Sequence, residues 1–465
     1  MRDSFAFSSR VLPSLAPLAA ALWLAGCSFA PTYERPAAPV AAAWPSAVLA
    51  EGASAAEMDW REFVQDARLR EAIGLALANN RDLRVATLNI EQVRAQYQIQ
   101  RAARLPTVNG AVSGTRQSSS DGDIANAFTA GLAMSGWEID FFGRIASLKE
   151  AALAQFLASE EARNAAQTSL VAGVASTWLS LQTSGELLAL TQRTLKTRED
   201  SLRLTQLRFK SGVVSALDLR QAESLLAAAQ GTLAQQQRQR ALDLNALTLL
   251  VGQPVPLSAL PVANDAAVAL SDVTPGVPSE VLMRRADVRA AEQQLMAANA
   301  NIGAARAAFF PRIALTASVG SASSELSGLF KSGSWGFSLA PQALLPIFDA
   351  GRNQAGLEVA KSQREIAVAQ YEKSIQTAFR EVADALAGRV TLGDQWAAQQ
   401  AQAQAESERF RLADLRYRSG VANYLDVLDA QRSLFGVQQA LSQTRLAQQQ
   451  NRLALYKALG GGWKP

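Results

Sequence analysis

Two kinds of hydrophobic pattern alternate along the chain. Residues 143–253 and 347–464 contain no proline and are rich in Ala, Leu, Gln, Glu and Arg, with small apolar residues spread over a wide face. This composition favours helices, and a helix of about 60 residues would reach roughly 90 Å. We therefore predict two pairs of long helices that pack closely against other helices.

Two shorter segments, 107–137 and 312–345, have a period of two instead. Gly, Ser and Thr replace Gln and Glu there, and apolar residues alternate with small or polar ones. Each segment is predicted to hold two strands of about ten residues, joined by polar loops at 117–126 and 321–333. Strands with one apolar and one polar face suit an outer-membrane barrel, and a soluble sandwich is the alternative.

The number of strands has a consequence of its own. Four strands are too few to close a barrel with a lumen, and an open edge cannot face lipid because its backbone groups would stay unpaired. The strands alone therefore predict that copies of the chain assemble to complete a barrel. Trp137 and Trp335, at predicted strand ends, would contribute to an aromatic belt.

A repeated turn shows that the chain is internally duplicated. Ser211-Gly212-Val213 recurs about 208 residues later as Ser419-Gly420-Val421, each time between two long predicted helices. Both halves follow the order helix, two strands, long helix, turn, helix. We predict a mainly α fold with a membrane β segment, built from two copies of one unit.

The N-terminus has the pattern of a lipoprotein signal. Arg2 and Arg10 precede an apolar run that ends in Leu-Ala-Gly-Cys27, so residues 1–26 are predicted to be a signal peptide that is cleaved before Cys27. Acylation of Cys27 would give durable attachment to a membrane, whereas an ordinary signal peptide is the alternative. The proline-rich chain after Cys27 predicts an extended tether.

Composition excludes several classes of function. The chain has no histidine, a single cysteine and a net charge of only +4. We therefore expect no nucleic-acid partner, no metal site, no cofactor beyond the N-acyl and S-diacylglycerol groups on Cys27, and no catalytic residues. An enzyme is the least favoured class. Beyond residue 26, no apolar run is long enough for a transmembrane helix.

These patterns divide the chain into ten segments. They are a signal peptide, 1–26; an acylated tether, 27–60; helices, strands and helical hairpin of the first copy, 61–106, 107–141 and 142–252; a proline-rich linker, 253–280; helices, strands and hairpin of the second copy, 281–310, 311–347 and 348–460; and a tail, 461–465. The hairpin turns are expected near 211–215 and 419–423.

Charged residues just after the turns are of two kinds. Asp218 and Asp426 stand three residues after a cap residue, as in a capping box, so they are helix caps, gate residues or both. Asp429 lies one turn further on, where the first copy has Gln221. Arg432 likewise replaces a serine. This break in the repeat indicates a task that only the second copy performs; a solvated ion pair is the alternative.

Short motifs spread over the whole chain resemble one family. They are APTYERP at 30–36, NRDLRVA at 80–86, AARAAFFP at 304–311, YLDVLDAQRSL at 424–434 and YKALGGGW at 456–463. In this order they resemble the TolC-type outer membrane factors, in particular the OprM-like lipoprotein branch. The resemblance implies a homotrimer with a shared 12-stranded β-barrel in the outer membrane of a Gram-negative bacterium, continued by a helical barrel in the periplasm.

The resemblance also implies partners and site residues. An inner-membrane RND-type pump would supply the energy, linked by a periplasmic adaptor (a membrane fusion protein), and the channel would passively export drugs or other small toxic compounds. Adaptor contact is implied for Gly212, Val213, Gly420 and Val421. A periplasmic gate is implied for Leu425, Asp426, Asp429 and Arg432 together with Asp218, with the Asp429–Arg432 pair as a latch. Metal export and a lipid-tethered adaptor-like coiled-coil protein are the alternatives.

Overall fold

The computed structural model describes residues 29–45, 53–54, 58–118, 123–262 and 268–463. The chain forms two compact units. The first comprises Met1–Ala37, Ile90–Ser159 and Ala290–Tyr371, and the second comprises Ala38–Asn89, Glu160–Arg289 and Glu372–Pro465. Cys27, the expected acylation site, lies outside the described residues.

Helices dominate the described chain. In chain order they are α1 Trp60–Phe63, α2 Ala67–Asn79, α3 Arg81–Ala102, α4 Arg144–Lys210, α5 Ala216–Val251, α6 Pro278–Arg284, α7 Ala286–Ala307, α8 Arg352–Arg418 and α9 Tyr424–Ala458. The two longest, α4 and α8, each have 67 residues, as the proline-free composition predicts. In none of the described helices is there an apolar stretch long enough to span a membrane.

Among the residues that the structure describes, the strands form two sheets. They are β1 Ala53–Ser54, β2 Val108–Ser118, β3 Ile124–Glu138, β4 Val273–Thr274, β5 Arg312–Ser323 and β6 Trp335–Leu344. In the first unit, β2, β3, β5 and β6 form one antiparallel sheet in that order. In the second unit, β1 pairs in parallel with β4.

The strands are longer than the alternation predicts. Ser118 pairs with Ile124, so the first hairpin extends into the expected loop 117–126, and β5 extends to Ser323. The reason is that backbone ladders do not depend on side-chain polarity, so Ser and Gln continue the strands. β3 has a bulge between Met134 and Trp137.

The linker 253–280 is shorter than expected at its C-terminal end. Helix α6 already begins at Pro278, where the fixed φ of proline suits the first helical position. Before it, Leu257–Ala259 forms a 3-10 turn. The described part of the linker therefore contains secondary structure of its own.

The core of the second unit is built around large aromatic side chains. Phe63 stacks on Tyr456 with ring centroids 3.9 Å apart, and both are buried. Trp178 is also buried, and its Nε1 donates to the carbonyl oxygen of Ala259 at 2.8 Å. These contacts pack α1, the linker, α4 and α9 together.

Both copies close their helical hairpins in the same way. In the first copy, Nδ2 of Asn80 donates to the carbonyl oxygen of Leu250 at 2.8 Å. In the second, Nη1 of Arg285 donates to the carbonyl oxygen of Ala458 at 2.9 Å. Each donor directly precedes the first residue of a helix, Arg81 of α3 or Ala286 of α7. Each acceptor is a carbonyl of a last helical turn, where no N–H of the same helix is available to it. The duplication is thus structural as well as sequential.

Candidate functional site

The first hairpin turn is a glycine-terminated helix end. Helix α4 ends at Lys210, and Gly212 has a φ of +72°. The N–H of Gly212 donates to Phe209 O at 3.0 Å, and the N–H of Val213 donates to Arg208 O at 2.9 Å. This is the Schellman pattern, which requires a left-handed residue and therefore favours glycine.

The second turn repeats this geometry. Gly420 also has a φ of +72°, its N–H donates to Tyr417 O at 3.0 Å, and the N–H of Val421 donates to Arg416 O at 3.0 Å. Val213 and Val421 are 70% and 71% exposed. Each turn therefore presents an apolar side chain beside a backbone that has no Cβ to cover it.

The cap residues confirm the capping-box pattern in the first copy. The N–H of Asp218 donates to Ser215 Oγ at 3.2 Å, and the N–H of Ser215 donates to Asp218 Oδ2 at 3.0 Å. In the second copy Asn423 Oδ1 accepts from the N–H of Asp426 at 3.2 Å, and the Asp426 side chain is exposed. Asp218 thus has a structural role as a cap.

Aromatic contacts join the two hairpins beside the turns. The guanidinium of Arg208 lies over the ring of Tyr417, 4.7 Å from its centroid, and hydrogen-bonds to its hydroxyl. Tyr417 in turn packs on Tyr424 with ring centroids 4.9 Å apart. Buried Tyr424, Val427 and Leu428 form a small apolar cluster at this end of the helices. The sequence pattern does not predict these contacts of Arg208, Tyr417 and Tyr424.

Asp429 lies between two arginines. Nη2 of Arg432 donates to its Oδ1 at 2.6 Å, and Nη2 of Arg409 donates to its Oδ2 at 2.5 Å. Arg409 also pairs with Glu406, with Nη1 3.1 Å from Oε2. The bond to Arg409 lowers the pKa of Asp429 below its ordinary value, so the carboxylate is charged at neutral pH.

The two arginines contribute differently. Arg432 and Asp429 are both on α9, so their bond orients the carboxylate but does not join two elements. Arg409 is on α8, and its bond to Asp429 ties the two helices of the second hairpin. Arg409 was not predicted as a partner of Asp429. The signal was available, because the equivalent position in the first copy is Ser201.

A cavity of about 200 Å³ brings the two copies together. Gln221 and Ser224 of the first copy line it together with Leu425, Asp429 and Arg432 of the second. Three positions predicted for the gate therefore share one cavity, and two of them, Asp429 and Arg432, line it together with the first-copy residues at the equivalent positions, Gln221 and Ser224. Asp218 and Asp426 are not among the lining residues.

Over the described part of the chain, no group of three or more His, Cys, Asp or Glu side chains is arranged to hold a metal ion. Near the turns, Asp429 is paired with arginines, and the Asp218 carboxylate accepts from the N–H of Ser215.

Comparison with known proteins places this architecture in a family. The family described as "Outer membrane efflux protein" matches residues 72–253 and 277–461, one match in each copy of the repeat. The antibiotic efflux pump outer membrane protein ArpC of Pseudomonas putida is 47% identical, over 95% of this chain and 93% of its own. The solvent efflux pump outer membrane protein SrpC of Pseudomonas putida is 48% identical, over 96% and 98%.

A solved structure agrees with these relatives. The crystal structure of the open state of the MtrE outer membrane channel of Neisseria gonorrhoeae has a TM-score of 0.88 and 40% sequence identity, covering 94% of this chain and 99% of that one. The resemblance to TolC-type outer membrane factors is therefore confirmed. The chain belongs to the outer membrane efflux protein family and is the outer membrane channel component of an efflux system.

Proposed function

We propose that three copies of the chain form the exit duct of a tripartite efflux system. Each copy contributes its four-stranded sheet to one 12-stranded barrel in the outer membrane, and the long helices form a duct in the periplasm. A periplasmic adaptor and an inner-membrane RND-type pump deliver the cargo. The duct itself performs no chemistry and is passive.

The sheet of the first unit carries this proposal. Its two edges are β2 and β6, which a single chain leaves available. Apolar side chains on β6 are largely exposed, for example Trp335 at 70% and Phe337 at 85%. In lipid an open sheet edge is costly, whereas pairing β6 of one copy with β2 of the next satisfies both edges.

The turns have two proposed roles. Gly212, Val213, Gly420 and Val421 form the adaptor contact, because exposed valines beside glycines allow another helix tip to approach closely. Leu425, Asp426 and Asp429 narrow the periplasmic opening, with Asp218 at its rim. Carboxylates from three copies brought onto one axis would repel one another and favour cations.

Arg432 and Arg409 hold the Asp429 carboxylate in this gate. The pair that we expected to latch the gate, Asp429 with Arg432, lies within one helix. The bond from Arg409 is the one that resists separation of α8 and α9. We therefore assign the latch to Arg409, with Arg432 orienting the carboxylate.

The class of cargo follows from the relatives. ArpC is named for antibiotics and SrpC for solvents. We propose that this chain exports small amphiphilic toxic compounds of the same kinds. Acylation at Cys27 in the outer membrane belongs to the same proposal and rests on the Leu-Ala-Gly-Cys pattern.

Disulfide cross-linking between copies tests the shared barrel. Val112 lies four residues after the start of β2, and Leu339 lies five residues before the end of β6, so antiparallel pairing between copies brings them to nearly equal depth. The strand register places both side chains on the same face of the sheet. With both Val112→Cys and Leu339→Cys, oxidation should produce covalent trimers on denaturing gels. Each single variant is the control and should stay monomeric. Covalent products larger than trimers, or none, would contradict the proposal.

A further inference from the structure

Arg198 is a buried cation without a carboxylate partner. It lies on α4 and is only 5% exposed. Among the residues that the structure describes, no carboxylate pairs with it, and the nearby Asp200 pairs with Arg203 instead. Burial lowers the pKa of Arg198 below its ordinary value, and no acid beside it opposes this shift. Since the cost of burying the charge is already met by the fold, Arg198 is predisposed to bind an anion.

Two contacts hold the guanidinium of Arg198 in place. Its Nη1 donates to the carbonyl oxygen of Leu225 on α5 at 2.8 Å. Its Cζ lies 5.3 Å from the centroid of the Phe435 ring on α9, in a cation–π contact. The Nε group is also buried, but it has no hydrogen-bond partner. One donor of a positioned, charged side chain is therefore unused.

A cavity of about 190 Å³ adjoins this arginine. It lies between α4, α8 and α9, and much of its wall is apolar, formed by Leu190, Phe410, Leu434 and Phe435. An apolar cavity of about 150 Å³ is large enough to hold benzene. The cavity beside Arg198 therefore has room for one aromatic ring that carries a small polar group.

A second polar group without a partner lines the same cavity. The Oε1 atom of Gln431 is buried and accepts no hydrogen bond. Gln431 belongs to one face of α9, because the residues of that helix that line the cavity have the spacing i, i+3, i+4, i+7: Gln431, Leu434, Phe435 and Gln438. An unused donor, the Nε group of Arg198, and an unused acceptor thus line one cavity.

The charge of the cavity is positive. Arg193 also lines it and is exposed, whereas no acidic side chain is among the described residues of its wall. The duplication does not require this charge, because the position of the second copy that is equivalent to Arg198 is Glu406. The position of the first copy that is equivalent to Phe435 is Ala227. Both copies form the same hairpin, so the fold itself does not need a buried arginine beside an aromatic wall.

These properties discriminate between classes of ligand. A water molecule would satisfy the two hydrogen-bonding groups but would leave the charge of Arg198 unpaired. An inorganic anion would pair with that charge but would leave the rings of Phe410 and Phe435 in contact with water. An aromatic carboxylate accepts a charge-assisted hydrogen bond and also packs its ring against the apolar wall.

We propose that this cavity is a binding site for a small aromatic carboxylate. The carboxylate accepts from the Nε group of Arg198, and the ring packs against Phe410 and Phe435. A hydroxyl group on the ring donates to the Oε1 atom of Gln431. The site is formed by helices of a single chain, so it does not depend on the export function proposed above.

Equilibrium dialysis of the full-length protein, purified in detergent at pH 7, tests the site with radiolabelled 4-hydroxybenzoate as the probe. We expect saturable binding of one molecule per chain with a dissociation constant below roughly 1 mM. Benzoate lacks the hydroxyl donor and should compete about fivefold more weakly. 4-Hydroxybenzyl alcohol lacks the carboxylate and should compete more weakly by roughly tenfold or more. These three compounds test the site in the unaltered protein.

Substitutions locate the site within the chain. Arg198→Gln removes the charge and should raise the dissociation constant of 4-hydroxybenzoate by roughly tenfold or more. Arg198→Lys keeps the charge without the planar guanidinium and should have a smaller effect. Arg203→Gln is the matched control, because Arg203 is on the same helix and its side chain is 74% exposed. This control should bind the probe as the wild type does.

Three results would overturn the proposal. The absence of saturable binding up to roughly 10 mM 4-hydroxybenzoate would show that the cavity is not a ligand site. Equal competition by 4-hydroxybenzyl alcohol, or unchanged binding to a folded Arg198→Gln trimer, would place the probe away from the arginine. Equal competition by inorganic phosphate would show a site for anions in general, without selection for an aromatic ring.

Discussion

The two hairpins share one turn geometry but differ in charge just behind it. Gly212 and Gly420 have the same φ and the same pair of hydrogen bonds around them. Behind the second turn, Arg409, Asp429 and Arg432 form a connected ion-pair group. The first copy has Ser201, Gln221 and Ser224 at the equivalent positions.

This difference separates what the fold requires from what one copy adds. A Schellman turn and a cap end one helix and begin the next, so both copies keep them. The ion pairs are not needed for the hairpin, because the first copy forms the same hairpin without them. The ion pairs are therefore the best candidates for gating the channel. The shared turns are the best candidates for contact with the adaptor.

The largest effect is expected when the glycine turn that both copies share is altered. Gly420→Val or Gly212→Val forces a branched side chain into a left-handed backbone, at a cost of roughly 1–2 kcal/mol, and covers the exposed turn. We expect export of an accumulated dye to be abolished while trimers remain in the membrane. Gly231→Val, on the exposed face of α5 without a positive φ, is the control. Normal export by both turn variants would exclude docking at the turns.

The next largest effect is expected when the ion pairs of the second copy are removed. Asp429→Ala with Arg432→Ala should raise single-channel conductance in planar bilayers by roughly twofold or more, because the charged constriction is lost. The matched pair Gln221→Ala with Ser224→Ala changes the equivalent first-copy positions and should have little effect. If conductance and open probability do not change in the first double variant, the gate assignment is wrong.

Comparing single variants sharpens this result. Arg409→Ala removes the bond between α8 and α9, whereas Arg432→Ala removes a bond within α9. Open probability should therefore rise more in Arg409→Ala. If open probability rises equally or less in Arg409→Ala, the latch is formed by Arg432 and not by Arg409.

A smaller effect is expected from pH. The bond to Arg409 lowers the pKa of Asp429 below its ordinary value of 3.8. The stabilisation that the ion pairs provide is thus fully present above that value and is lost only as the pH falls through the lowered pKa. Asp429 should cause no change in conductance between roughly pH 7 and 5. Asp429→Asn should open the channel at neutral pH, and a wild-type transition near pH 6 would contradict this.

The smallest effect is expected at the caps. Ser215→Ala and Asn423→Ala should each destabilise the start of a helix by about 1 kcal/mol. Amide exchange at Asp218 and Asp426 would then rise about fivefold, with export unchanged. Thr232→Ala, in the interior of α5, is the control. Loss of export in either variant would mean that the caps also belong to the gate.

Much of the fold could be predicted because its signals are local. Proline-free helical composition, alternating strands, the left-handed glycines and the Ser215–Asp218 cap all depend on residues close together in sequence. The duplication added Asp429 and Arg432 by comparison of the two copies. The exact ends of β2 and β5 were missed, because backbone pairing continues through polar residues that the alternation assigns to loops.

The sequence by itself therefore determined the order of elements, the turns and the positions where the copies differ. Only the tertiary structure decided which side chains meet: Arg409 with Asp429 across two helices, Arg208 with Tyr417 across two hairpins, and Arg35 with Glu292 between residues 29–36 and α7. The physical reason is that such pairs depend on how each helix is rotated and shifted against its neighbours, and packing sets both. No spacing along the chain encodes that rotation directly.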